Sequence, residues 1–170
     1  MRLRLGLLAI VATLALSGCA AYRLGSTSGE LAGFRTIQVV PFNNRTLEPR
    51  LADALTGALR KEIQRDGTYR LTTSDPGDVI VSGEIVQFYR SEISFLPVDV
   101  VTARDYQVTM TARVLVKERG TDRVLLDRLL TGSTLMRVGN DLPSVERQTL
   151  SLLATDLAQK IRFALTDGTW

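Results

Sequence analysis

The sequence predicts an α+β domain: a two-layer sandwich with two helices packed on one face of a mostly antiparallel sheet of four to five strands, in the order β-α-β-β-β-β-α. Three observations carry that expectation. Leu51, Leu55, Leu59 and Ile63, and later Leu150, Leu153, Leu157, Ile161 and Leu165, recur at helical spacing. Between them Tyr106, Val108, Met110, Ala112, Val114 and Val116 alternate with Gln107, Thr109, Thr111, Arg113, Leu115 and Lys117, the period of a strand with one buried face. Glu118-Arg119-Gly120-Thr121-Asp122 then joins this strand to the next by a span of hairpin length.

In chain order, residues 34–42 read as the first strand, β-branched and ending near Pro41. Asn43-Asn44-Arg45-Thr46 is turn chemistry leading into the first helix, with Thr46 or Glu48 as its cap and Pro49 in its first turn. Its apolar stripe faces a core, since each buried Leu or Ile contributes about 1.5–3 kcal/mol. Arg60, Lys61, Gln64 and Arg65 lie mostly opposite, and Gly67 stops the helix. Residues 69–73 form a short strand and 74–78 a turn. Residues 78–88 form a long strand in which Gly83 marks a bulge or a close approach. The pattern loosens over 91–102, where Phe95, Leu96, Pro97, Val98, Val100 and Val101 suggest an apolar loop. Residues 123–135 pair with the alternating strand; the consecutive Leu129 and Leu130 suggest an edge or a bulge. Asp141 is the expected N-cap of the second helix, with Pro143 early in it and Asp167-Gly168 ending it.

The first 18 residues read as a leader: Arg2 and Arg4, an apolar core from Leu5 to Leu16, then Ser17-Gly18 as a small-residue cleavage site. That core is shorter than the roughly 20 apolar residues a spanning helix needs. Leu16-Ser17-Gly18-Cys19 resembles the bacterial lipobox. The likeness implies a diacylglycerol on the Cys19 thiol and an acylated amine after cleavage. The alternative is a small buried cysteine behind an ordinary secretory signal. Several acyl chains anchor firmly where one anchors marginally, each buried CH₂ contributing about 0.8 kcal/mol. Ala20 stands where an aspartate often signals inner-membrane retention, so the analogy favours the outer membrane. Residues 19–33 then form the lipidated N-terminus and tether, and 34–170 a single domain.

Arg2 and Arg4 leave with the leader, so 19 of the 21 basic side chains remain against 18 acidic ones. A near-neutral domain gives no support to a nucleic-acid surface, and no nucleic acid is expected as a partner. The chain has no histidine and one cysteine, which removes histidine-based triads, the commonest metal ligand and internal disulfides. Phosphate-binding loops and EF-hand spacing are absent from the sequence. No catalytic residue, cofactor or metal is expected.

Three segments carry a family resemblance: Cys19-Ala20-Ala21-Tyr22-Arg23-Leu24-Gly25; Ile37 to Pro49, containing Val-Pro-Phe-Asn-Asn-Arg-Thr-Leu-Glu-Pro; and Gly83-Glu84-Ile85. With the final helix, they resemble the lipopolysaccharide-assembly lipoprotein family, LptE. The resemblance implies an outer-membrane lipoprotein that plugs and helps assemble an LptD-type β-barrel translocon and takes part in delivering lipopolysaccharide. Two candidate contact surfaces follow. One is the apolar loop, with Phe95, Leu96 and Val98, facing the barrel wall or acyl chains. The other is a basic set, Arg90, Arg104, Arg113 and Lys117, whose cations suit the phosphates of lipopolysaccharide. Each has a plainer reading, as a loop folded over the core and as a solvated sheet face. The competing function is a periplasmic lipoprotein regulator or secretion accessory, such as a peptidoglycan-synthase activator or a curli-type secretion lipoprotein, whose first strands open similarly.

Overall fold

The alternating stretch becomes an inner strand of a six-stranded sheet, next to its edge, and every second residue from Val108 to Val116 is buried. The computed structural model describes residues 33, 36–96, 99–138 and 141–166; the side chains of 94–96 and 99–104 lie outside that description. The elements are β1 (Thr36–Val39), β2 (Asn43–Asn44), α1 (Leu51–Asp66), β3 (Arg70–Thr72), β4 (Val79–Leu96), β5 (Asp99–Glu118), β6 (Val124–Arg137) and α2 (Leu142–Thr166). The leader, Cys19, residues 20–32 of the tether, Val98 and the expected stop at Asp167-Gly168 lie outside the described residues.

The sheet order is β3-β1-β4-β5-β6, with the two-residue β2 beside β4. β4, β5 and β6 are antiparallel, whereas β1 pairs parallel with both β3 and β4. This is the expected mostly antiparallel sheet with two helices against it, one very short strand larger. Parallel pairing at β1 follows from α1, a crossover long enough to return the chain to the same end of the sheet. Leu51, Leu55, Leu59, Leu153, Leu157 and Ile161 are fully buried against Ile37, Val81, Ile85, Met110 and Val114.

Helix boundaries follow local chemistry. Asp141 caps α2 as expected: the Ser144 N–H donates to its Oδ1 (3.4 Å) and the Val145 N–H to its carbonyl (3.2 Å). Gly67 takes the left-handed conformation that ends α1 (φ 73°). The start of α1 differs from expectation. Arg50 is its N-cap with no side-chain cap, and Pro49 precedes the helix. Thr46 and Glu48 are otherwise engaged, because Asn44 Oδ1 accepts from the Thr46 N–H (2.9 Å) and Asn44 Nδ2 donates to the Glu48 carbonyl (2.7 Å). The first strand is also shorter than its apolar pattern, and Phe42 leaves it to enter the core.

Two features of β4 overturn local expectations. Its register against β5 shifts between Ile85 and Gln87, so Val86 is an extra residue. Before that bulge Val81 and Ile85 face the helices; after it Phe88 and Arg90 do, opposite Met110 and Val108. The expected apolar loop at 91–102 is in large part strand. β4 and β5 pair out to Leu96 and Asp99, whereas β6 pairs with β5 only from Asp105 onward. The distal hairpin is therefore a two-stranded arm extending past the three-stranded part of the sheet. Alternation is blurred there by three further register shifts, between Glu92 and Leu96, which is why the sequence reads as loop.

The helix layer is tied down by polar contacts. Arg162 donates from Nη1 to Asp66 Oδ1 (3.0 Å) and stands 4.0 Å from Glu62 Oε2. Glu62 is buried and also pairs with Arg65 (2.8 Å). At the sheet edge, Asp156 accepts from the Ser133 N–H (2.8 Å) and Lys160 donates to the Thr131 carbonyl (2.9 Å), so α2 side chains cover part of an edge strand. Gly132 allows this approach, since a Cβ there would lie 2.7 Å from Leu157 Cβ.

Candidate functional site

Two of the sequence segments that suggested a family meet in space. Asn43 and Asn44 pair with Glu84 and Ile85, which sets β2 beside β4. Phe42 lies over Gly83, where a Cβ would be 2.4 Å from its ring and 2.6 Å from the Arg113 carbonyl. Gly83 is thus a place of close approach, and the bulge lies further along at Val86. The Arg45 guanidinium pairs with Glu84. The Phe42 N–H donates to the buried Thr56 Oγ1 (3.1 Å), and Arg60 donates to the Val39 carbonyl (2.8 Å), so α1 is locked to the same joint.

This joint borders the sheet face that carries no helix among the described residues. Along it run Ser82, Glu84, Gln87 and Tyr89 of β4, the polar register of β5, and Asp127, Leu129, Thr131, Ser133 and Leu135 of β6. Alternating charges cross its middle: Arg45, Glu84, Arg113, Asp127. Arg113 donates from Nε to Asp127 Oδ1 (2.7 Å) and from Nη2 to Oδ2 (2.6 Å). That bidentate bond holds the Asp127 carboxyl below the ordinary carboxylate range, against the opposing effect of desolvation and with a lesser contribution from Arg113's charge. Around the charges stand exposed apolar side chains, Val86, Tyr89, Leu129 and Leu135; the last two are 65% and 67% exposed. A shallow depression of about 460 Å³ runs from Val40 and Pro41 past Gly83 to Arg113 and Asp127. A face with a neutralised polar centre and an apolar surround suits a broad, partly apolar contact rather than a reaction.

The expected basic set is divided by the sheet. Arg113 and Lys117 share the open face, two alternations apart on β5. Arg90 is on the other side because of the Val86 bulge. It donates to Glu146 Oε1 of α2 (3.0 Å), stands 4.0 Å from Glu48 Oε2, and lies over the Phe88 ring (5.4 Å). It ties the root of the arm to α2 and to the loop that precedes α1. Arg104 lies on β5 and Phe95 and Leu96 on β4, all within the arm; their side chains are outside the description, as is Val98 altogether. Sequence reasoning missed that Arg45, Asp127 and Leu129 gather around Arg113, and that Leu135 lies further along the same face. The one available signal was the Leu129-Leu130 pair, which places one leucine on each face.

The family model described as LptE, lipopolysaccharide-assembly, matches residues 34–165. The chain belongs to this family. LptE membership places it in a non-catalytic, lipopolysaccharide-assembly context, and makes the joint of Phe42, Arg45, Gly83 and Glu84 part of an LptE-type fold. No curated protein sequence matches the chain. Solved structures resemble the fold at low identity. A hypothetical protein of Chlamydia trachomatis has TM-score 0.57 at 12% identity, covering 78% of this chain and 96% of that one. An uncharacterised lipoprotein B of Nitrosomonas europaea has TM-score 0.54 at 11% identity, with coverage of 87% and 90%. A PelC dodecamer of Paraburkholderia phytofirmans has TM-score 0.51 at 17% identity, with coverage of 84% and 94%. At these identities the likeness is one of fold. Among the described residues no helix is long and apolar enough to cross a membrane.

Proposed function

We propose that this chain is an outer-membrane lipoprotein of the lipopolysaccharide transport machinery. In this reading it is anchored on the periplasmic side through acyl chains on Cys19, after removal of residues 1–18. Residues 19–33 are the tether and 34–170 the working domain. It acts as plug and assembly partner of an LptD-type β-barrel and contacts lipopolysaccharide. The observation that carries this is the family match over nearly the whole domain. The open sheet face supports it physically: a rigid sandwich with one uncovered, partly apolar face suits the inside of a larger protein. The arm adds a second support, because a two-stranded hairpin is at best marginal alone in water and gains from a partner surface.

The test is co-purification. The full lipoprotein, tagged at its C-terminus and extracted from outer membranes in mild detergent, is expected to bring down one large β-barrel protein. Recovery of a peptidoglycan synthase alone, or of a ring made only of this chain, would overturn the reading in favour of a regulator or a secretion accessory.

A further inference from the structure

Seven glycines lie in the described residues, and six have a reason within the fold. Gly33, Gly67 and Gly120 have positive φ (101°, 73° and 89°), and a Cβ at Gly77, Gly83 or Gly132 would come within 2.4–2.7 Å of another atom. Gly57 has neither reason. It sits in the interior of α1, and a Cβ there would meet nothing within 4 Å. Glycine at such a position costs about 1 kcal/mol relative to alanine. The cost persists where a close approach from outside needs the space.

Gly57 lies in a groove of about 340 Å³ between α1 and α2, on the side of the molecule away from the open sheet face. Ala54, Gly57 and Ala58 give it a low floor, and Arg50, Lys61 and Arg147 rim it, with Asp53 the single carboxylate in the lining. Among the described residues Lys61 and Arg147 have no ion-pair partner; Arg147 donates to Ser144 Oγ (3.0 Å). Arg50 meets Glu48 through Nε (3.2 Å) with its side chain 53% exposed. We propose that the groove between α1 and α2 receives an acidic segment of a partner polypeptide.

The geometry selects this occupant over a single anion or a membrane surface. Arg50 and Lys61 are about three helical turns, roughly 16 Å, apart along α1. One phosphate reaches one end only, whereas carboxylates spaced along a chain reach both. A concave groove between helices excludes a flat bilayer surface. The low floor lets a partner backbone approach, and Lys61 and Arg147, with Arg50 shared with Glu48, outweigh Asp53 and supply the charge complementarity that favours an acidic chain over a neutral one. The groove and the open face lie on opposite sides, and the contact rests on the groove's own floor and rim rather than on what the open face meets.

The experiment places a photoreactive benzoylphenylalanine at Ser151, an exposed residue on the groove wall, in the full-length lipoprotein in its own envelope. Ultraviolet light is expected to give a polypeptide adduct whose cross-linked peptide, identified by mass spectrometry, carries several Asp or Glu residues. Gly57→Leu fills the floor with a strong helix former, and the pair Lys61→Glu and Arg147→Glu inverts the rim. Each is expected to lower adduct yield about tenfold, a change in binding of about 1.4 kcal/mol, while Arg119→Glu, away from the groove, leaves it unchanged. Circular dichroism checks that the variants fold. No adduct, an adduct to lipid, an adduct to a neutral or basic segment, or a yield insensitive to both changes would overturn the proposal.

Discussion

Arg113 is held in a fork with Asp127, and that bond decides how it meets an anion. A phosphate approaching the open face has to share or displace the Asp127 carboxylate. Asp127→Ala is therefore expected to free the guanidinium and strengthen binding of purified lipopolysaccharide, and Arg113→Glu, alone or with Arg104→Glu, to weaken it. Equal binding by all variants would remove the open face as an anion site. The same pair gives a pH prediction. Asp127's folded pKa is depressed below its ordinary value, so its stabilising effect is present above that value and is lost as pH falls through the folded pKa. In an NMR titration its carboxyl should titrate below the ordinary aspartate range, and Arg113→Ala should raise the midpoint toward it. Gly83 is decided by contact: Gly83→Ala inserts a methyl against Phe42 and the Arg113 carbonyl and should cost about 1–3 kcal/mol in chemical denaturation.

Among the elements, β4 shows why one residue matters more than a pattern. A strand has period two, so the extra Val86 exchanges the faces of everything after it. Deleting Val86 is expected to turn Phe88 and Arg90 to the open face and part Arg90 from Glu146. The loss of a half-buried aromatic should lower stability by about 2 kcal/mol, read as a lower unfolding midpoint. The helix pair depends on a different contact. Arg162→Ala leaves the buried Glu62 with only the exposed Arg65 and removes the link to Asp66, and should cost on the order of 3 kcal/mol. Both helices were legible in the sequence, because an apolar stripe with a stop at Gly67 and a cap at Asp141 needs no tertiary information. The arm was not legible, since register shifts erase alternation while leaving the backbone paired.

At the scale of the molecule, α1 and α2 cover one face of the sheet and, among the described residues, leave the other open, and the family match gives that asymmetry its context. The anchor can be tested separately from the partner: Cys19→Ala is expected to abolish acyl labelling and leave an uncleaved precursor. Normal maturation of the variant would return Cys19 to an ordinary residue. The sequence by itself determined the α+β class, both helices, the buried register of β5 and the family segments, because each rests on local spacing or residue type. Only the tertiary structure decided that β1 runs parallel to its neighbours, that Phe42 lies on Gly83, that Arg90 and Arg113 occupy opposite faces, and that Arg113 is already paired. Those depend on strand order, one bulge and contacts between residues far apart in the chain, for which local spacing carries no signal.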